Sequence, residues 1–369
     1  MNTKIKSIDP TLASIVFLLV FFGFLIFSSA SLGLLARSGA SFSSVAFNQF
    51  FFGIVGGTIA LLVTSTIHYR HWRNYAFYIF VASCLISLLI FIPDLSFSHG
   101  GATRWIRIGN FTFQPAEILK IGTVIYLATW LSGMQKNIQT FKFGTLPFLG
   151  FLAIPGILLL SQPDTDNFLI ICAASVAMFL TAGGRWRDFL IMLMIGILML
   201  ALLIISRPYV MDRVTSFLDP HTDPQGSGYQ ARQALIAVGS GGLTGRGFGQ
   251  SIQKFEYLPE PIGDSIFAVF AEEVGFIGSL ILLCLFIGFA LRGYRIATEA
   301  KDLFGMLLVV GIVTAITFQA ILNIASIIGV APISGIPLPF ISHGGTALLV
   351  TLAAIGIVLN VSKFRMKRR

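Results

Sequence analysis

The chain has 369 residues, 55% of them hydrophobic and 11% charged, with 35 phenylalanines. Soluble domains carry about 25% charged residues, so this composition excludes a water-soluble globular protein, and lipid must be the solvent. The net charge of +9 would suit nucleic acid, but no polar stretch is long enough to fold as a separate basic domain. Cys84, Cys172 and Cys284 lie inside apolar runs. They have neither metal-ligand spacing nor an even number for disulfides, and read as small core residues.

A membrane-crossing helix needs about 20 mostly apolar residues. Ten segments qualify, near 11–35, 46–66, 75–93, 115–132, 146–161, 167–183, 188–206, 265–291, 304–329 and 344–362. The apolar run of the first is too long for a cleaved signal peptide. The expected fold is an all-α polytopic membrane protein, a single domain over residues 1–369 with about ten transmembrane helices. Lys and Arg set its orientation. With the N-terminus in the cytoplasm, 16 of the 25 cations fall on the inside and 8 on the outside, and Lys120 lies within a span. Both termini are then cytoplasmic, and the basic tail 363–369 faces anionic lipids rather than nucleic acid.

This orientation makes residues 207–264 one large extracytoplasmic loop. Nucleotides are not available there, so a transferase on that face needs a donor already activated, for instance as a lipid diphosphate. The glycine-rich runs Gly239-Ser240-Gly241-Gly242 and Gly245-Arg246-Gly247 lack the Lys-Ser/Thr end of a nucleotide-binding loop. Within the loop, Tyr229 to Val238 reads as a short amphipathic helix. Six glycines between 239 and 249 make the next stretch turn-rich.

Four groups of residues carry chemistry. Asp264 stands just before an apolar helix at the outer boundary. There a carboxylate has a raised pKa and serves as a general base near neutral pH; the competing reading is a helix N-cap. Glu272 and Glu273 follow about 12 Å further along that helix. Acids at such a place face the bundle interior or water, as a polar lock or a working pair. Arg104 and Arg107 precede Gln114-Pro115-Ala116-Glu117, and Glu117 and Lys120 share one helical face. They form either a staple or a cationic site for a diphosphate. Pro332 to Gly345 holds three prolines and cannot be a continuous helix. Ser342, His343 and Gly344 lie there, and backbone N–H groups before the last helix suit an anion. Arg246 and Glu256 are further polar candidates in the loop.

Taken together, these segments resemble the SEDS family (shape, elongation, division and sporulation). The matching residues are Arg104-Trp105-Ile106, Gln114-Pro115-Ala116-Glu117 with Lys120, Asp223 to Gln230, Ala237 to Leu243, Lys254 to Glu273, and Gly335 to Ser342. The likeness runs through almost the whole chain and is nearest the division branch, FtsW, with the elongation branch, RodA, second. It implies a peptidoglycan glycosyltransferase that polymerises lipid II at the outer face of the bacterial cytoplasmic membrane. Asp264 is its implied catalytic base. Glu117, Lys120, Arg104 and Glu256 fall at positions the family associates with its cavity and activity. The implied partners are lipid II, the nascent lipid-linked glycan, a class B penicillin-binding protein of the FtsI kind and other division proteins. No organic cofactor is expected, and the leaving diphosphate calls for arginine, lysine or a divalent cation, Mg2+ or Mn2+. His343 stands where the family usually has Tyr, and Ile262-Gly263 replaces the common His-Thr. The rival readings are a flippase for the same lipid and a pure scaffold.

Overall fold

The structure is a computed structural model, and it describes residues 7–36, 42–99, 102–109, 111–135, 137–219, 226–255 and 257–365. The candidate residue Glu256 lies outside them. Helix α1 (Pro10–Ser31) starts at Asp9, whose carboxylate accepts the Leu12 N–H at 2.9 Å, with Pro10 in the first turn. Next comes α2 (Phe42–Phe47), which runs through a π-helical stretch, Asn48–Gly56, into α3 (Gly57–Thr66). Helix α4 (Arg70–Leu88) then returns across the bundle.

Three short strands follow: β1 (Ser96–His99), β2 (Ala102–Ile108) and β3 (Phe111–Phe113), in one antiparallel sheet of order β1-β2-β3. They amend the all-α expectation. The alternation of a strand explains why neighbouring arginines part company. Arg104 and Ile106 share the inward face and are buried, whereas Arg107 on the other face is exposed.

The remaining helices are α5 (Pro115–Gly133), α6 (Leu146–Ser161), α7 (Thr165–Thr181), α8 (Trp186–Ser206), α9 (Pro208–Leu218), α10 (Ser227–Ser240), α11 (Ile266–Thr298), α12 (Leu303–Ile327) and α13 (Gly345–Lys363). Eight of the apolar segments are long enough to cross a membrane among the described residues. The shorter α7 and the more polar α5 pack among them. All ten expected segments fall on helices.

Helix α12 is the axis of the bundle. It packs against α5, α7 and α11, and 67% of its apolar window is buried, against 6% for α8, whose flanks are left to lipid. Helices α3 and α13 approach closely because small residues line their contact. A Cβ on Gly356 would fall 1.9 Å from the Thr64 hydroxyl, and that hydroxyl donates to the Ala353 carbonyl at 2.8 Å.

The stretch expected as one loop is partly ordered helix, α9 and α10, followed by turns that lock into a break in α11. At Gly275 the backbone takes φ 70°, a conformation that favours glycine. The freed carbonyls of Glu272 and Glu273 accept from the Arg246 and Gly247 N–H groups. The freed N–H groups of Phe276 and Ile277 donate to Gly242 and Leu243. These four backbone groups are thereby satisfied inside the protein, as an apolar medium requires.

Candidate active site

Asp264 lies in the turn that opens α11, and the side-chain cap expected of it is absent. The residue at the cap position is Ser265, with no capping hydrogen bond. The turn is held from three sides. From α12, the Asn323 amide donates to the Asp264 carbonyl and to the Ile336 carbonyl, each at 2.8 Å. From α10, Gln230 donates to the Ser265 hydroxyl at 3.0 Å. From the 336–343 segment, the Ser342 hydroxyl donates to the Gly263 carbonyl at 2.7 Å and the His343 N–H to the Ile262 carbonyl at 2.7 Å. The backbone of Asp264 is thus fixed while its carboxylate accepts no hydrogen bond from a described residue.

Three other elements bring charge to this carboxylate. Arg104 comes from β2, Arg213 from α9 and Asp166 from the first turn of α7. Asp166 pairs with Arg213 at 2.8 Å and accepts the Gly335 N–H at 3.2 Å. The charges converge on Gly335. A Cβ built there would lie 3.1 Å from an Arg104 guanidinium nitrogen, 3.4 Å from one of Arg213 and 3.6 Å from the Asp264 carboxylate. Burial and the negative charge of Glu260 push the Asp264 carboxyl up to about 7. Arg104 and Arg213 oppose that rise, and Asp166 adds to it. Burial alone would lower the Arg213 guanidinium, but the Asp166 carboxylate outweighs it and holds Arg213 above its ordinary range. The result is a half-buried carboxylate that exchanges its proton near neutrality, between two fixed cations.

The sequence-level candidates divide as follows. Arg104 is in the site: it donates to the Pro163 carbonyl and leaves its Nε without a partner. Lys120 is buried and donates to Glu117 at 2.9 Å and to Gln319 at 2.6 Å. Gln319 in turn donates to the Pro337 carbonyl at 2.9 Å, so the Glu117–Lys120 pair reaches the Gly335 segment through α12. Arg107 turns away, stacking over Phe97 at 5.3 Å and donating to Gly109 at 3.3 Å. Arg246 pairs with Glu272 at 3.4 Å. The Gly344 N–H is taken by Gln49 at 3.1 Å. His343 stacks on Phe27, leaves its Nε2 without a partner, and is held below its ordinary pKa by burial.

Glu272 and Glu273 form a lock. Glu273 meets the buried Lys254 ammonium at 2.8 Å and the Ser29 hydroxyl at 2.7 Å. Glu272 accepts from the Ser251 hydroxyl at 2.6 Å and from the Ile252 and Gln253 N–H groups. Among the described residues no three His, Cys, Asp or Glu side chains gather as a metal set. Asp166 is already neutralised by Arg213, which leaves Asp264 as the open carboxylate of the site.

Asp166, Arg213 and Asn323 are absent from the sequence-level candidates, and Gly335 figures there only as the start of the Gly335 to Ser342 segment. Asp166 closes the polar run Gln162-Pro163-Asp164-Thr165-Asp166, which lies between the expected spans 146–161 and 167–183. Arg213 was counted only for topology. An acid in the first turn of a span and a glycine between prolines were the signals available.

A family model described as a cell cycle protein, covering FtsW, RodA and SpoVE, matches residues 10–367. The chain belongs to this family. Among FtsW/RodA/SpoVE relatives, stage V sporulation protein E of Bacillus subtilis (strain 168) is 39% identical over 365 residues, covering 99% of each chain. A probable peptidoglycan glycosyltransferase FtsW of Geobacter metallireducens is 40% identical over 311 residues, covering 84% of this chain and 83% of the relative. One similar solved structure concerns the structural coordination of polymerization and crosslinking by a peptidoglycan synthase complex. It has a TM-score of 0.79 and 25% identity over 96% of this chain and 97% of that one. The Thermus thermophilus rod shape determining protein RodA shares the fold, with a TM-score of 0.71 and 24% identity over 98% of each chain. The SEDS resemblance and the multi-pass membrane architecture therefore hold along the whole FtsW/RodA/SpoVE chain.

Gly335 offers a test of the site's geometry. Gly335→Leu places a side chain between the three charged groups, so polymerisation is expected to fall about 100-fold, the scale of a 1 Å misplacement. Its melting temperature should fall less than that of a core variant, because the atoms it meets are the ends of the Arg104, Arg213 and Asp264 side chains, which can move aside, and not backbone. A melting temperature lowered as far as that of a core variant would show that Gly335 serves packing instead.

Proposed function

We propose that this chain is a peptidoglycan glycosyltransferase that polymerises lipid II at the outer face of the bacterial cytoplasmic membrane, with Asp264 as general base. The observation that carries the mechanism is a half-buried carboxylate, pushed up to about 7, set between Arg104 and Arg213. In the reaction, the 4-hydroxyl oxygen of an incoming lipid-linked disaccharide attacks the anomeric carbon of the growing chain. The bond from that carbon to the diphosphate breaks and undecaprenyl diphosphate leaves with the bonding electrons. The hydroxyl proton passes to Asp264. Arg104 and Arg213 offset the charge that develops on the leaving diphosphate, the term that usually dominates such catalysis. Lys120 and Glu117 support this from one layer below, through Gln319.

The end of the bundle that carries Asp264 is proposed as the extracytoplasmic one, with both termini in the cytoplasm, because the cations are concentrated at the other end. A class B penicillin-binding protein is the proposed partner. The similarity to a chain of a synthase complex that couples polymerization with crosslinking supports this. The FtsW-named relatives support a role in septal synthesis over elongation. The flippase reading has one feature in its favour, the broken helix α11, since broken helices recur in transporters. Here the break is bridged by hydrogen bonds to the backbone of residues 242–247.

Purified protein in detergent, given lipid II and its proposed partner, is expected to yield glycan polymer. Vesicles that move lipid II across the bilayer while making no polymer would assign the flippase activity instead.

A further inference from the structure

The end of the bundle opposite Asp264 carries a feature that the proposed reaction does not use. Helices α3 and α4 are consecutive, yet α3 packs against α13 and α4 against α5. They splay from the turn at 67–69 and leave a wedge open to the surroundings, with a volume of about 920 Å³. Thr66, Ile67, Trp72, Tyr75, Tyr78 and Ile79 line it. The α4 members follow helical spacing, and the stripe from His71 to Ala82 is about 16 Å long. Tyr75 and Tyr78 are 60% and 69% exposed, so no other described residue covers this face.

A second cavity of about 390 Å³ adjoins the first at His71, and Arg70, Arg73, Asn74 and Asp302 line it. Asp302 is spoken for, since it takes Arg70 at 2.8 Å and also accepts from Tyr69. Arg73 is exposed and makes no ion pair among the described residues, and Lys301 adds a further positive charge nearby. One end of the feature is therefore apolar and aromatic, and the other keeps surplus positive charge.

We propose that this wedge binds an anionic phospholipid of the surrounding bilayer, with its phosphate against Arg73 and His71 and an acyl chain along α4. Trp and Tyr beside cations are the side chains suited to the headgroup level, and cations placed there favour an anionic headgroup. The occupant is a structural phospholipid and not the lipid-linked substrate. The substrate diphosphate belongs at Asp264, and α4, 19 residues long, separates the two sites by about 28 Å.

The test is native mass spectrometry of the full chain released from vesicles of equal phosphatidylglycerol and phosphatidylcholine. Wild type is expected to retain phosphatidylglycerol selectively. Arg73→Glu should retain about tenfold less, whereas Arg187→Glu, an exposed cation at the same end, should retain as much as wild type. Tyr75→Ala should lose bound lipid without a change in melting temperature. Equal retention of the two lipids by wild type, or unchanged phosphatidylglycerol on Arg73→Glu, would overturn the proposal. So would displacement of the phosphatidylglycerol by lipid II or by inorganic phosphate. The readout is bound lipid, so it stands or falls independently of polymerisation.

Discussion

Asp264→Asn is expected to abolish glycan polymerisation while leaving the protein folded, and to make it more stable above pH 7. The loss follows from removing a general base, a contribution of about 100- to 10,000-fold. The gain follows from the sign of the shift. Burial and the neighbouring Glu260 hold the carboxyl up to about 7, well above its ordinary 3.8. The folded state therefore keeps a proton that the unfolded chain releases, and stability falls as pH rises from about 4 to 7. An amide of the same shape never carries the charge and escapes that cost, so the melting temperature at pH 8 should rise. The backbone clamps from Asn323, Gln230 and Ser342 do not involve the carboxylate and survive the change. Polymer output at the wild-type rate would remove Asp264 from the reaction, and a lower melting temperature would make it a structural residue.

Lys254→Met is expected to cost about 3–5 kcal/mol, the scale for breaking one side of a buried ion pair. The Lys254 side chain has no exposed surface, and its ammonium donates to Glu273 at 2.8 Å, Gly249 at 2.9 Å and Ser29 at 3.1 Å. Removing it leaves the buried Glu273 carboxylate without a cation, with the Ser29 hydroxyl at 2.7 Å and the Ser251 N–H at 3.4 Å as its remaining donors. Replacing both partners, Lys254→Met with Glu273→Leu, should recover most of the loss, because an apolar pair of similar volume replaces a satisfied ionic one at little net cost. Thermal unfolding in detergent measures both variants. An unchanged melting temperature for Lys254→Met would show that the 245–254 segment does not hold α11 as described. Activity should fall with stability, since this segment anchors the strand of chain that ends in the Asp264 turn.

The spans were legible because lipid imposes a coarse rule, about 20 apolar residues per crossing, and every expected segment lies on a helix. Asp264 was legible because it is an acid next to a long apolar run. Its companions were not. Arg104, Asp166, Arg213 and Gly335 are scattered across 232 positions and meet only because the fold brings β2, α7, α9 and the 332–345 segment together around Gly335. Local sequence carries no such information. Strand β2 was hidden because seven residues of mixed polarity between two spans give a weak alternation signal, yet that alternation is what separates Arg104 from Arg107. Glu272 and Glu273 were correctly expected to avoid lipid. The choice between a lock and a working pair depended on Gly275, whose left-handed backbone opens the helix to residues 242–247. A lone glycine in an apolar run does not announce that.

The most direct test of the central claim is the pH dependence of polymerisation at saturating lipid II, compared between wild type and Glu260→Gln. A base held up to about 7 must lose its proton before it works, so the wild-type rate should fall as pH drops through 7. Removing the Glu260 charge lowers that midpoint, and the variant should stay active at a pH where wild type has faded. A wild-type rate that is flat down to pH 5, or a midpoint that Glu260→Gln leaves in place, would contradict the assignment of Asp264 as the base.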